Sequence, residues 1–263
     1  MKEYKGNKKF IEKLIKEYVS SYQEKHHSIT GWEEPLIAFA DARDPLFRKM
    51  KEVISSSHNL PTDLIPKAKT VISYFIPFKK EVVLSNIKNM ESSEAWAISY
   101  IETNKLISDL NRYINDQLQK LNYSSTLLPP THNFDEQNLI SDWSHKHVAY
   151  IAGLGKFGLH QMLITEKGCC GRIGSIVTDL EIEPTKRSDA EGEYCLYKYN
   201  GSCKKCVEKC ISGALSIETY DRHKCYAVLL KNVEHHSKIG YADACGKCIS
   251  QVPCSFVNPV NNH

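Results

Sequence analysis

Ten cysteines are the residues of this chain best suited to chemistry, and they are unevenly placed. None precedes Cys169, and eight fall between Cys195 and Cys254. Their spacing is Cys195-x7-Cys203-x2-Cys206-x3-Cys210-x14-Cys225-x19-Cys245-x2-Cys248-x5-Cys254. Cysteines scattered through a core show no such grouping. The clustering points to a metal-binding module that follows a larger, nearly cysteine-free region.

A C-x2-C loop turns two sulfurs toward one site, and a cysteine four residues further on starts a helix and points to the other side. Eight thiolates are the number needed for two [4Fe–4S] clusters, and in two-cluster ferredoxins the last cysteine of each run ligates the other cluster. That crossover groups Cys195, Cys203, Cys206 and Cys254 at one cluster, and Cys210, Cys225, Cys245 and Cys248 at the second. Two departures from the ferredoxin run stand out. Position 200, where its first cysteine would sit, is Asn200, and Ile211 replaces the usual proline. Cys195 is then the substitute ligand. Zinc is the competing reading, because two C-x2-C knuckles can hold a tetrahedral ion. Against it stand the C-x3-C followed by "SGALSIE", the closing "VPCSFVNP", and the lack of a histidine interleaved at zinc spacing.

The elements that must carry these cysteines come from 263 residues, enough for one large domain or two smaller ones. The composition is 41% hydrophobic and 25% charged, ordinary for a globular protein. A net charge of +3 makes no case for nucleic-acid binding on charge alone. The N-terminus is charged and amphipathic without an apolar h-region, and no run of about 18 apolar residues occurs, so a cytoplasmic protein with reduced thiols is expected.

Helical spacing of Ile11, Leu14, Ile15, Tyr18 and Val19 predicts a helix over 1–25. The run "LIAFA" precedes a charged loop holding Asp41, Arg43 and Asp44, where Asp44 with Pro45 reads as a helix cap ahead of a helix at 47–54. The β-branched and aromatic run at 68–78 predicts a buried strand, and 92–123 a long helix capped by the Ser92–Ser93 pair. A short strand then loop is expected over 125–139, a helix over 140–154, and a strand over 171–182 ending at Thr178 and Asp179. A polar stretch at 183–194 marks a boundary, giving domains 1–185 and 186–263.

One segment, "SHKHVAYIAGLGKFGLHQMLITEKGCCGRIGSIVTDLEIEP" at 144–184, resembles the stretch ahead of the ferredoxin module in epoxyqueuosine reductases and cobalamin-dependent reductive dehalogenases. It carries Gly153-Leu154-Gly155-Lys156-Phe157-Gly158, then Leu163-Ile164-Thr165, then Gly174 to Thr178-Asp179. The resemblance covers about residues 95–259. It implies an α+β chain: a nitroreductase-like α/β domain that binds cobalamin, then a ferredoxin-like module whose two clusters pass low-potential electrons to that cofactor, which reduces an organic substrate. It further implies an electron donor such as ferredoxin or flavodoxin, and a small molecule or modified nucleoside as substrate. The chain ends nine residues after Cys254, so the helical repeats of epoxyqueuosine reductases are expected to be missing, which weakens the case for tRNA. The acidic proton donor of that family sits in a "DSAP"-like turn, which "LLPPTHNFD" replaces here; His132, Asp135 or His145 are the stand-ins. The alternative function is a non-catalytic electron carrier serving a partner such as a corrinoid protein.

The resemblance places the backbone of Gly153, Gly155 and Gly158, with Thr165, close to the corrin. The plainer reading of the glycines is a tight turn requiring positive φ. Dinucleotide binding is rejected, because a helix rather than a strand precedes the run and no acidic residue follows at the ribose position. Cys169 and Cys170 read as small buried hydrophobes outside the ligand set. Lys204, Lys205, Lys209 and Lys247 read as offsets to thiolate charge or as a dock for an acidic donor.

Overall fold

The computed structural model describes residues 8–187 and 192–262. The start of the expected first helix and part of the expected domain boundary lie outside the described residues. Helix α1, Lys8–His26, buries Ile11, Ile15, Val19 and Tyr22 on one face, as the i, i+4 spacing requires. Strand β1, Leu36–Asp41, leads into helix α2, Pro45–Val53. The Asp44 carboxylate accepts the Leu46 N–H at 2.9 Å, and Pro45 occupies the first turn, where a missing N–H costs nothing. After the short α3, Pro61–Leu64, comes β2, Thr70–Pro77, buried along its whole length.

Helix α4, Lys80–Ser85, is followed by α5, Glu94–Lys120, whose cap Ser93 accepts the Trp96 N–H at 3.1 Å. Strands β3, Phe134–Asp135, and β4, Ile140–Ser141, form a small hairpin before α6, His145–Ile151. A second hairpin, β5, Gly155–Phe157, and β6, Leu163–Thr165, leads to β7, Gly171–Thr178. The cysteine-bearing segment adds α7, Leu196–Asn200, α8, Lys205–Glu208, and α9, Arg222–His235, and ends in a 3-10 turn at Pro259–Asn262. No helix among the described residues is long and apolar enough to cross a membrane.

The architecture is α+β. Its sheet is antiparallel with β2 between β1 and β7, and β2 separates two cores. Ile72, Tyr74 and Ile76 face Leu106, Ile107, Leu110 and Ile114 of α5. Val71 and Phe75 face Trp143, Val148 and Ala149 at α6. The two-residue period of a strand thus supplies both layers, and each fully buried side chain contributes about 1.5–3 kcal/mol. Gly174 lies opposite Tyr74, and a Cβ there would sit 2.4 Å from the tyrosine ring. That space lets the Tyr74 hydroxyl donate to Asn111 Oδ1 at 2.6 Å, tying sheet to α5.

Two elements differ from expectation. The helix predicted over 140–154 is confined to α6. Ile140 and Ser141 pair instead with Phe134 and Asp135, and Gly153 leaves the helix with φ +86°. Within 125–139 the expected strand shrinks to one bridge, Ser125 to Thr178.

The cysteine-bearing segment is tied to α4 and α5. Asn86 Nδ2 donates to the Cys245 carbonyl at 2.8 Å, and the buried Lys247 ammonium donates to the carbonyls of Asn86 (3.1 Å) and Lys88 (2.6 Å). Gly246 has φ +69°, and a Cβ on it would lie 2.1 Å from the Trp96 indole. Gly246→Ala therefore combines backbone strain with a clash, and is expected to cost about 3 kcal/mol, read as a lowered midpoint in thermal unfolding. An unchanged midpoint would show that this joint does not carry stability.

Candidate metal centre

Loops and short helices, rather than the sheet, present the thiols. Cys195 precedes α7, Cys206 sits within α8, Cys225 lies in the first turn of α9, and Cys245, Cys248 and Cys254 follow α9. Around Cys206 the acting neighbours are Cys254, Cys195 and Cys203. Around Cys248 they are Cys245, Cys225 and Cys210, with Cys206 the weakest. The chain therefore brings its eight clustered cysteines into two adjoining groups of four.

Burial and mutual repulsion dominate these groups. Burial, then the three neighbouring thiols, push Cys206 up to about 12. Burial takes Cys245 to about 11, and drives Cys248 well above the thiol range. Two cysteines go the other way. At Cys210 burial is outweighed by the Ser212 hydroxyl and by the backbone N–H groups of Leu215, Ser212 and Ala214, all of which favour the thiolate. Cys254 falls to about 5, because a hydrogen bond from Cys169 and a second from His160 overcome its burial. Cys225 is raised by burial, against which the Tyr220 hydroxyl donates to its sulfur. Among the described residues, the three-residue set whose ligand atoms all lie within 4.8 Å is His160, Cys169 and Cys254.

The segment from Gly153 to Thr165 folds as a strap between α6 and these thiols. Gly153 makes its positive-φ turn against the Arg187 backbone. Gly155 lies against the Ile164 carbonyl, where a Cβ would approach to 2.0 Å, and Gly158 lies against the His160 ring. The buried Thr165 hydroxyl donates to the Gly168 carbonyl at 2.8 Å. These four residues shape the strap, whereas its Phe157 and Gln161 line a cavity of about 930 Å³. Met50 of α2, Ile54 just after it, Tyr150 of α6 and Tyr226 of α9 give that cavity apolar walls; Lys146 and Arg222 supply cations; Cys225 borders it. Burial and the adjacent Arg222 push Lys146 below its usual range, and its ammonium donates to the Gln161 carbonyl at 3.3 Å.

No family model matches the sequence, and no curated protein matches it. Solved structures do. An epoxyqueuosine reductase from Bacillus subtilis aligns over 93% of this chain and 66% of its own, at 18% identity and a TM-score of 0.52. An epoxyqueuosine reductase bound to an epoxyqueuosine-modified tRNA-Tyr stem loop aligns over the same shares at 20% identity and 0.51. A catabolic reductive dehalogenase in complex with 3-bromo-4-hydroxybenzoic acid aligns over 86% of this chain and 30% of its own, at 18% identity and 0.55. The chain has the epoxyqueuosine-reductase fold. It spans just under two thirds of the length of those reductases.

Within that fold the three expected proton donors fall in unlike surroundings. Asp135 is exposed, and its carboxylate caps its own turn by accepting the N–H groups of Gln137 (2.7 Å) and Asn138 (2.8 Å), which hold it below the usual carboxylate range. His132 is exposed, with Nε2 3.4 Å from the buried carboxylate of Asp243, whose Oδ1 has no hydrogen-bond partner among the described residues. It lines a second cavity of about 760 Å³ with Asp135 and Trp143. His145 is buried, and its protons are assigned by its partners. The Pro129 carbonyl can only accept, so Nε2 carries the hydrogen across 2.9 Å, and Nδ1 accepts the Ser175 hydroxyl at 2.8 Å. Ser175 Oγ in turn accepts Trp143 Nε1–H at 3.0 Å.

Sequence spacing did not join His160 or Cys169 to the ligand set, because neither belongs to the C-x2-C runs. Both cysteines at 169 and 170 are buried as expected, yet Cys169 also meets Cys254. The lysines divide: Lys247 is internal, Lys205 pairs with Glu208 at 2.8 Å, and Lys209 donates to the Ser250 carbonyl at 3.0 Å. Only the three-dimensional path of the strap joins His160 to Cys254.

Burial lowers His145 to about 4. The unfolded chain binds a proton there near pH 6.5 while the folded chain refuses it, so this contribution to stability is full above pH 6.5 and disappears as pH falls toward 4. Urea unfolding at pH 7 and pH 4.5 should show a loss that His145→Asn reduces by on the order of 3 kcal/mol. An identical pH dependence in the variant would contradict a buried neutral imidazole.

Proposed function

We propose that this chain is an iron–sulfur reductase that holds two [4Fe–4S] clusters against a cavity for an organic cofactor. The observation that carries this reading is the gathering of eight cysteines into two adjoining groups of four, one of which includes the cavity-lining Cys225. The ligands are Cys195, Cys203, Cys206 and Cys254 for the first cluster, and Cys210, Cys225, Cys245 and Cys248 for the second. The donor set fits. The backbone and hydroxyl donors around Cys210 stabilise a thiolate, the form that ligates iron. Zinc is disfavoured because tetrahedral coordination at about 2.3 Å needs sulfurs roughly 3.8 Å apart, and among the described residues neither group of four has its ligand atoms all within 4.8 Å of one another.

In this reading residues 1–185 form a nitroreductase-like domain and 186–263 a ferredoxin-like module. Cobalamin is the cofactor proposed for the cavity, on the sequence resemblance and on the fit of an apolar wall beside a polar rim. Met50, Ile54, Tyr150 and Phe157 would pack against the macrocycle, and Lys146, Gln161 and Arg222 would meet its amides and phosphate. When bound, cobalamin supplies a metal-centred reductant; the chain supplies placement and exclusion of water. Gly153, Gly155, Gly158 and Thr165 serve that site by fixing the strap that carries Phe157 and Gln161. Of the three proton-donor candidates, His132 is favoured, in the second cavity, whose lining shares Phe134 and Ile140 with the cofactor cavity. His132 reaches solvent and is backed by Asp243, whereas both ring nitrogens of His145 are committed and Asp135 caps a turn. The substrate class is a small organic molecule or modified nucleoside, and the electron source a low-potential ferredoxin or flavodoxin.

Anaerobic reconstitution, with iron, sulfide and bound cobalamin quantified together, tests the reading. About eight irons per chain are expected. Cys206→Ala and Cys248→Ala should each lose about half, each removing a different EPR signal after dithionite. Full iron in both variants would refute the ligand assignment. Eight irons without cobalamin uptake would refute the cofactor and leave an electron carrier, and zinc in place of iron would refute both.

A further inference from the structure

His160 lies on the strap, in no cysteine run, yet it is buried at 5% exposure with Nε2 3.3 Å from Cys254 Sγ. Its protonation state follows from its other partner. The backbone N–H of Met162 points at Nδ1 from 3.1 Å, and a backbone N–H can only donate. Nδ1 is therefore the acceptor, and the ring hydrogen sits on Nε2, aimed at the sulfur. The buried ring packs directly on Gly158. Gly158 lies so close that a Cβ there would come within 2.6 Å of His160 Cε1. Cys169, also buried, donates to the same sulfur, and its own N–H donates to the Cys254 carbonyl at 3.0 Å. One cysteine of the eight thus receives two side-chain donors from outside the metal-binding segment.

We propose that His160, through its Nε2–H bond to the Cys254 sulfur, sets the reduction potential of the first cluster above the value its four thiolates would give alone. This rests on the assignment of Cys254 as a cluster ligand. One-electron reduction adds negative charge that is shared onto the sulfurs, and a fixed N–H dipole stabilises the more negative state more strongly. His160 acts through Cys254 and is a positioning residue. The same strap carries Phe157 and Gln161 at the cavity, so the element that shapes the cofactor site also tunes the metal centre beside it.

The test is an EPR-monitored redox titration of reconstituted wild type, His160→Phe and His160→Gln. The signal missing from Cys206→Ala identifies the first cluster. Phe keeps a ring beside Gly158 and removes the donor; Gln keeps an N–H. His160→Phe is expected to retain about eight irons and to lower the reduced-to-oxidised ratio of the first cluster about tenfold at fixed poise, equivalent to about 59 mV for one electron. The second cluster should be unmoved, and His160→Gln should recover most of the shift. An unmoved first-cluster potential in His160→Phe with full iron overturns the proposal and leaves the cluster assignment standing. Loss of about four irons from both variants also overturns it, because His160 would then hold the cluster rather than tune it. Wild type that takes up no iron fails the assignment itself.

Discussion

Crowded sulfur is the constraint on which the rest of the structure depends. Eight thiols in one small, half-buried region cannot all ionise: burial disfavours each thiolate, and each thiolate disfavours its neighbours. The high values at Cys206 and Cys245 are the direct expression of that conflict. A cationic metal core, as proposed, would resolve it and displace the protons on binding, which would couple metal binding to the ordering of this segment. The exceptions are local. The polypeptide prepares Cys210 with backbone donors from the turn that follows it, and Cys254 with donors from elsewhere in the chain. Regular structure could not do this, since helix and sheet use up the N–H groups that these sulfurs need.

The remainder of the fold gives these loops a rigid base. Strand β2 is buried on both faces and joins the α5 core to the α6 core, so the two layers that bracket the site share one element. The joint with the cysteine-bearing segment is polar and specific rather than greasy. Lys247 illustrates it: a buried ammonium is tolerated because two carbonyls receive its hydrogens. Close approaches at Gly246 against Trp96 and at Gly168 against the Ser255 carbonyl, where a Cβ would lie 2.4 Å away, set how near the segment can come.

Local chemistry was legible in the sequence; distant pairing was not. Asp44 with Pro45, and Ser93 ahead of a 3.6-period run, announce their helices because a cap acts within three residues. The β2 run announces a buried strand because nothing else suits six β-branched and aromatic residues packed between two prolines. The cysteine spacing announces that the thiols gather, and the neighbours of Cys206 and Cys248 are other members of that run. The helix over 140–154 was overdrawn because Ile140 and Ser141 have partners across a turn, and the Asp135 carboxylate closes that turn. Lys247 read as an offset to thiolate charge or a dock for an acidic donor, because a lysine whose hydrogens meet carbonyls about 160 positions away leaves no local trace. His145 read as a candidate acid, whereas two side chains, Ser175 and Trp143, and the Pro129 carbonyl assign its ring hydrogen.

The strap from Gly153 to Thr165, with the turn at Gly168 that follows it, joins these two kinds of information. Its glycines match the resemblance, yet their service is steric. Gly155 lets β5 and β6 close to backbone contact, and Gly158 clears the place that the His160 ring fills. Because the hairpin is that tight, Phe157 on one arm and His160 at its bend cannot move independently. A group seated against Phe157 and Gln161 presses on an element whose other side holds the Cys254 sulfur and, at Gly168, the Ser255 backbone. The cavity and the first thiol group are thus bound by one short, stiff piece of chain, while Cys225 joins the cavity to the second group directly. Two separate physical links between cavity and sulfur support the proposed delivery of electrons to a group in the cavity over the bare electron carrier.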